Sequence, residues 1–441
     1  MGVPRIRLVV LNYNGGALVD RCVDHLEQLD WPEGRLEIVV VDNASADGSP
    51  ERLAARPRVR LVRSGHNLGF PANNLGLRDL DAVDYVGLIN NDAFAEPDYL
   101  QPLVDALEAA EDLGAACPKI LLAHQFVDLA LRSDAVMPPG DGRHLGVRVS
   151  GVEVGGDDRW RNVLFASGFH HHERGGPGEE AFRWSDGDAT LGVPCWGGEG
   201  TVRVRLAGPE GTEVVLDAGA GARRVGLGEV PTWLEVPLGA HRYDVINNVG
   251  SRLARGGYGG DRGFLERDGG QFDEPQEVFA WCGAGVLFRP AYLHDVGLFD
   301  ERFFMYYEDT DLSWRGRSRG WRYEYVPKAV LRHVHAATSI EGSPMFNHHV
   351  QRNRLLMLTK NAPAGFVVRA VAGYGREVAA CAWHDVVRPV LARRRPSPRV
   401  VVAKLGAFAG YLRLLPVMLV ARRRIRSRRS VTDAALLRWV E

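Results

Sequence analysis

Three carboxylates follow the bulky run FFMYY at Glu308-Asp309-Thr310-Asp311. Carboxylates at the edge of a hydrophobic wall lose water. Their pKa rises, and one of them becomes able to take a proton near neutral pH. Asp309 is read as that general base, with Glu308 and Asp311 as supporting acids. The same residues suit the first turn of a helix with the body LSWRGRSRG, where negative side chains meet the helix dipole. The two uses are compatible. A second point is Asp92, which follows the strand-like VGLIN and the pair Asn90-Asn91. Oxygen ligands there can hold Mg2+ or Mn2+ against a diphosphate, with Asn91 orienting the carboxylate. Turns also use Asp freely, so Asp92 alone is a weak signal. His333 and His335 stand just after a later strand, on the same segment as Thr338 and Ser339, and one of them could share the ion. Taken singly, each is more often a structural or surface histidine. The third point is Asp42, which ends an apolar strand and opens DNASADGS. It could accept bonds from a nucleotide base or ribose, or simply form an Asx turn or helix cap.

These residues need a frame. Residues 6–11 (IRLVVL), 36–41 (LEIVVV), 58–63 (RVRLVR) and 84–89 (DYVGLI) read as strands. Ala17 to Leu29 has helix-spaced Leu18, Cys22, Leu26 and Leu29. Apolar strands alternating with helices predict a doubly wound α/β sheet, in which ligands bind beyond the carboxyl ends of the strands. Those ends carry Asn12, Asp42, Asn67 and the run Asn90-Asn91-Asp92, so all are expected at a nucleotide-sugar or metal site.

From 141 to 240 glycine becomes frequent and helical periodicity disappears. Runs at 201–206, 213–216 and 232–237 predict a small antiparallel β unit, inserted between an α/β half at 1–140 and another at 241–345. Its histidines His170 to His172 are adjacent, and adjacent strand residues face opposite ways. A surface or packing role is therefore favoured over a metal site. Residues 346–441 read as helical. The apolar stretch 398–421 is interrupted by Lys404, Arg413 and Pro416 and is followed by ARRRIRSRR. That pattern predicts an interfacial helix on anionic lipid, or else a packed helix with a solvated basic end. The net charge of −1 argues against a nucleic-acid partner. Five cysteines without C-x-x-C spacing, and an N-terminus without a signal-peptide cleavage region, read as a cytoplasmic protein, peripheral on the inner face of the plasma membrane in the lipid reading.

The chain resembles family 2 glycosyltransferases of the GT-A fold, especially the bacterial rhamnosyltransferase-like branch. The resemblance covers about 5–125 and 243–360 through LVVLNYNG, VVVDNASADGS, HNLGFPANN, LINNDA, WCGAGVLFRP, GLFDERFFMYYEDTDLSWRGRSRGW and HVHAATS. Each piece is moderately specific, and their order and spacing are strong. The resemblance implies that Asp42 meets the nucleotide base. Asn90-Asn91-Asp92 would replace a D-x-D motif whose first position is Asn here, with Asp92 facing the metal. Asp309 would be the catalytic base, and Trp281 and Gly283 would line the donor-sugar and acceptor side. His333, or His335, would be the late metal or phosphate histidine. A processive Q-x-x-R-W motif is missing, which implies single additions. The implied reaction is inverting, metal-dependent transfer from a dTDP- or UDP-sugar to a hydroxyl of a cell-envelope glycan or lipid-linked acceptor. A non-catalytic sugar- or nucleotide-binding protein that uses the β insertion is the alternative. Nucleotidyl transfer is disfavoured, because LNYNGGALVD has no nearby lysine.

Overall fold

The computed structural model describes residues 2–174, 181–334 and 343–440. The chain forms two compact units. One comprises Met1–Leu121, Ile246–Phe264 and Gly269–Glu441, and the other Leu122–Val245 with Leu265–Asp268.

The first unit opens with β1 (Ile6–Asn12), α1 (Gly16–Glu27), β2 (Leu36–Asp42), α2 (Ser49–Ala54), β3 (Val59–Arg63), β4 (Tyr85–Asn90), β5 (Ala93–Ala95), α3 (Leu100–Ala109) and β6 (Leu113–Leu122). The order β3-β2-β1-β4 is parallel throughout. Strands buried on both faces lose the alternation of a half-exposed sheet, and β1, β2 and β4 are accordingly apolar runs. Helix α1 buries Val19, Cys22, Val23 and Leu26. The strand Gly285–Phe288 then runs antiparallel between β4 and β6. Beyond β6 lies the strand Arg322–His333. The register aligns Asn12 with Asp42 and Leu11 with Asn90, so the polar ends of three strands fall side by side.

Three later helices matter to the site: α4 (Pro290–Val296), α5 (Glu308–Arg319) and α6 (Pro344–Asn361). Ser343 caps α6 by accepting from Phe346 N–H at 3.2 Å. Helix α7 (Ala364–Ala382) follows. The final long helix, Arg399–Ser427, is continuous through Lys404, Arg413 and Pro416, the residues that interrupt its apolar run.

The second unit is antiparallel. Its longest strand, Ala181–Cys195, pairs with Arg148–Val154 at its start and with Gln125–Ser133 over its second half. Gly187, at φ +112°, lies between the two pairings. Valines and leucines of the inner faces form a core of its own, among them Val127, Val149, Val193, Val204 and Val236. The unit starts nineteen residues before the glycine-rich composition does, because its first strand, QFVDLALRS, carries none of that signal. His170 sits in this unit, its Nε2 2.6 Å from the backbone oxygen of His144. All five cysteines are free.

Candidate active site

Asp92 lies between β4 and β5. The strand Arg322–His333 pairs antiparallel with β5, and its register sets His333 opposite Ala93. Val334 N–H donates to Asp92 O at 2.9 Å. That pairing carries His333 Nε2 to 3.2 Å from Asp92 Oδ1. His333 Nδ1 lies 2.8 Å from Asn247 Oδ1. An amide oxygen only accepts, so Nδ1 carries a hydrogen, and in the neutral ring Nε2 keeps its lone pair. Asn90 Nδ2 is 3.5 Å from the same Nε2. Asp92 Oδ1 is buried and receives no hydrogen bond. With the ring neutral, two electron-pair donors face each other across 3.2 Å, an arrangement that a cation satisfies. The residues present fit a hard divalent ion with two protein ligands, the remaining positions being open to phosphate and water. No group of three His, Cys, Asp or Glu forms such a site among the described residues. His335 lies outside the described residues, as do Thr338 and Ser339.

The carboxyl ends of β1 and β2 are organised around Asn12, which is fully buried. Its Nδ2 reaches Asp42 Oδ1 at 3.3 Å, Ser45 Oγ at 3.2 Å and Ser49 Oγ at 2.8 Å. Its Oδ1 accepts from Gly15 N–H and from Asn91 Nδ2, at 3.2 and 3.3 Å. Protein groups therefore occupy the whole amide. The expectation that Asn12 binds nucleotide directly is corrected: it fixes Asp42 and Asn91, and all its donors and acceptors are engaged. Asp42 Oδ1 also receives Ser45 N–H at 3.4 Å, so the Asx turn is real as well. Asn67 accepts from Asn43 Nδ2 and from Gly69 N–H, both at 2.9 Å, which closes the HNLGF turn.

That turn docks on the FFMYY loop. Phe70 N–H donates to Phe304 O at 2.7 Å, and Gly69 adopts φ +69°. A Cβ on Gly69 would lie 2.0 Å from Phe304 O. Gly69→Ala is expected to cost roughly 3 kcal/mol, from backbone strain plus overlap with a main-chain atom. A urea melt within 1 kcal/mol of wild type would show that the two loops are not locked together.

Asp309 opens α5. Thr310 N–H and Thr310 Oγ1 both donate to its Oδ1, at 2.5 and 3.1 Å. Burial pushes its carboxyl up to about 6. The charge of Asp261 adds to the rise, and bonds from Thr310 and from Gly283 N–H oppose it. Glu308 beside it is buried, with Oε2 lacking a donor. Burial and the neighbouring Asp309 raise its carboxyl well above the ordinary range. The residue that links the two halves of the site is Ala284, whose oxygen accepts from Asn90 N–H at 3.0 Å. The segment Cys282-Gly283-Ala284 therefore runs from beside Asp309 to beside Asn90. Gly283 has no room for a side chain, since a Cβ would meet Phe70 Cζ at 2.8 Å.

Two expectations are corrected. Trp281 is fully buried and packs edge-on against Phe288 and Phe299, so it is core and not a lining residue. Asp311 is a structural anchor. It receives Arg315 Nε at 3.0 Å, Lys360 Nζ at 2.7 Å and Asn361 Nδ2 at 2.7 Å, which ties α5 to α6.

Sequence reading missed Asn247, Asn248 and Asp261. The strand Ile246–Asn248 presents Asn247 to His333, while Asn248 Nδ2 donates to Asp261 Oδ1 at 2.5 Å. The signal was available: VINN repeats the apolar-Asn-Asn ending of LINN.

A sheet with one antiparallel strand between β4 and β6, and polar residues gathered at the carboxyl ends of β1, β2 and β4, is the GT-A fold. Residues 8–123 match the model of Glycosyl transferase family 2, and that segment is a family 2 glycosyltransferase domain. Over 80 residues the chain is 44% identical to the N-acetylglucosaminyl-diphospho-decaprenol L-rhamnosyltransferase of Mycobacterium tuberculosis, which covers 17% of this chain and 26% of that protein. Over 112 residues it is 34% identical to the succinoglycan biosynthesis protein ExoO of Rhizobium meliloti, covering 24% of this chain and 31% of that protein. The chain thus spans about a quarter to a third of the length of the curated relatives it matches. A solved structure of GalNAc-T7 with UDP, GalNAc and Mn2+ aligns with a TM-score of 0.46 at 12% identity, over 81% of this chain and 48% of that one.

Proposed function

We propose that this chain is an inverting, metal-dependent glycosyltransferase that adds one sugar from a dTDP- or UDP-sugar to a hydroxyl of a cell-envelope glycan or lipid-linked acceptor. The observation that carries the reading is the 3.2 Å approach of His333 Nε2 to the donorless Asp92 Oδ1. The names of the two curated relatives support the acceptor class.

In this reading Asp42 accepts hydrogen bonds from the base or ribose, its position fixed by Asn12. Asp92 and His333 would hold Mg2+ or Mn2+, which offsets charge on the departing diphosphate when bound. Asp309 takes the acceptor hydroxyl proton as that oxygen bonds to the anomeric carbon. The bond from that carbon to the diphosphate oxygen breaks on the opposite face, and the centre inverts. Gly283 N–H and the Thr310 donors keep the carboxylate oriented, and desolvation gives it the basicity that the step needs. An acceptor carried on lipid would be met at a membrane surface, which the basic C-terminal segment suits.

The test is thermal melting with UDP or dTDP, with and without Mn2+. Ion and nucleotide together are expected to raise Tm by about 5 °C, and neither alone by as much. Asp92→Asn and His333→Ala should each abolish the ion's share. An ion effect that survives both substitutions would place the metal elsewhere.

A further inference from the structure

The final long helix, Arg399–Ser427, has two apolar faces and only one of them is covered. Ala407, Tyr411 and Met418 are buried, the last two in the core shared with α6 and α7. Tyr411 Oη meets Thr359 Oγ1 at 3.1 Å, Tyr374 Oη donates to Lys404 O at 2.8 Å, and Arg422 Nη1 donates to Thr359 O at 2.9 Å. The other face presents Val402, Leu405, Leu412, Leu419 and Val420, each 45–63% exposed. The short turns after α7 add Val390 and Leu391, the latter 72% exposed. Twelve of the twenty large hydrophobic side chains exposed among the described residues lie between 364 and 427. Soluble surfaces rarely concentrate apolar groups in this way without an occupant.

Charge selects the occupant. Residues 386–432 hold twelve arginines, one lysine and no Asp or Glu. Arg393, Arg394, Arg395, Arg399, Arg423 and Arg424 are exposed and pair with no carboxylate among the described residues. A second copy of this chain would bring the same cations face to face. A nucleic acid would match the arginines and leave the valines and leucines in water. An anionic bilayer surface matches both.

Length and composition would also let this helix cross a membrane. Its covered face opposes that. Crossing would strip Tyr411 and Arg422 from α6, a helix whose buried Arg352, Asn353, Arg354 and Lys360 belong to a water-soluble core.

We propose that the outer face of Arg399–Ser427, with the turns after α7, lies in the interface of an anionic membrane, its leucines and valines among the acyl chains and its arginines among the headgroups. This deepens the reading of a lipid-borne acceptor. Vesicle binding is measured without donor or acceptor, however, so either reading can fail alone.

The full chain is floated with phosphatidylcholine vesicles, with and without phosphatidylglycerol as about one third of the lipid. Binding is expected only with the anionic lipid, and should weaken at high salt. Replacing Arg393, Arg394 and Arg395 together by Gln should weaken it roughly a hundredfold. Leu405→Gln with Leu412→Gln should weaken it about tenfold or more while leaving Tm unchanged. If that pair melts low, Val402→Gln serves instead. Unchanged binding by the apolar variants would mean mere adsorption of a polycation and overturn the proposal. So would retention on the vesicles through alkaline carbonate, the mark of a spanning helix. So would failure to float together with a dimer that the leucine variants dissociate.

Discussion

Asp309→Asn is expected to lower turnover by between about a hundredfold and ten-thousandfold while donor affinity stays within about twofold. The asymmetry follows from the geometry. The Asp309 carboxylate is bonded to Thr310 and Gly283, and an asparagine oxygen can accept the same bonds. What the substitution removes is the basic lone pair that, in the proposed mechanism, takes a proton during the reaction. The wild-type enzyme should carry the matching pH signature. A raised carboxyl pKa means that protons compete for the base at mildly acidic pH. The rate should be flat above about 6 and fall about tenfold per pH unit below it. Initial rates of sugar transfer or donor hydrolysis across a panel of UDP- and dTDP-sugars, with calorimetric donor titrations, measure both. Near-normal turnover in the asparagine variant would move the base elsewhere, and Asp261 would be the next residue to test.

Asp311→Ala, two residues on, should do something quite different. This carboxylate is completely buried and meets Arg315, Lys360 and Asn361. Deleting one partner of a buried network leaves the others charged and dry, at a cost of about 3–5 kcal/mol. The lower end is expected. Lys360 keeps Asp300 Oδ2 at 2.9 Å, and Arg315 keeps Val296 O and Leu298 O, both at 2.7 Å. Even 3 kcal/mol is a large part of a typical domain's stability. Urea unfolding of the variant should show a lower midpoint with unchanged slope, and residual activity per folded molecule should stay near wild type. A normal midpoint with lost activity would make Asp311 part of the chemistry after all.

The contrast between Asp309 and Asp311 marks the limit of sequence reading. Both sit in one E-D-x-D run, and nothing local separates a solvent-edge carboxylate from one facing Lys360, which is remote in sequence. Asn12 is similar. Its place at a strand end was legible, but its engagement by the side chains of Asp42, Ser45, Ser49 and Asn91 was not, since that requires β1, β2 and β4 in register. Trp281 was expected as a lining residue because the resemblance to family 2 glycosyltransferases implied it. Here the chain turns it toward Phe288 and Phe299. The strands of the α/β half were readable from their apolar runs, and the β unit from its turn spacing. Its true start was hidden, because a half-buried first strand carries no glycine and alternates like many others. Asn247 and Asp261 escaped notice because they follow the insertion, where the contacts that give them meaning are made by residues much earlier or later in the chain.

The loop before α5 holds Phe304, Tyr306 and Tyr307 at positive φ, conformations that non-glycine residues adopt only under constraint. The constraint is Asn353 of α6, whose Nδ2 donates to the oxygens of Phe303, Met305 and Tyr306 at 2.8, 2.8 and 2.9 Å. The same α6 carries Thr359, against which Tyr411 of the long helix rests. One rigid rod therefore joins the loop that delivers Asp309 to the element with the uncovered apolar side. Whatever that side settles on is held at a fixed remove from Asp309, the proposed base. The enzyme would then select its acceptors by how far their reactive hydroxyl stands from the anchoring layer, a ruler made of less than two turns of α6.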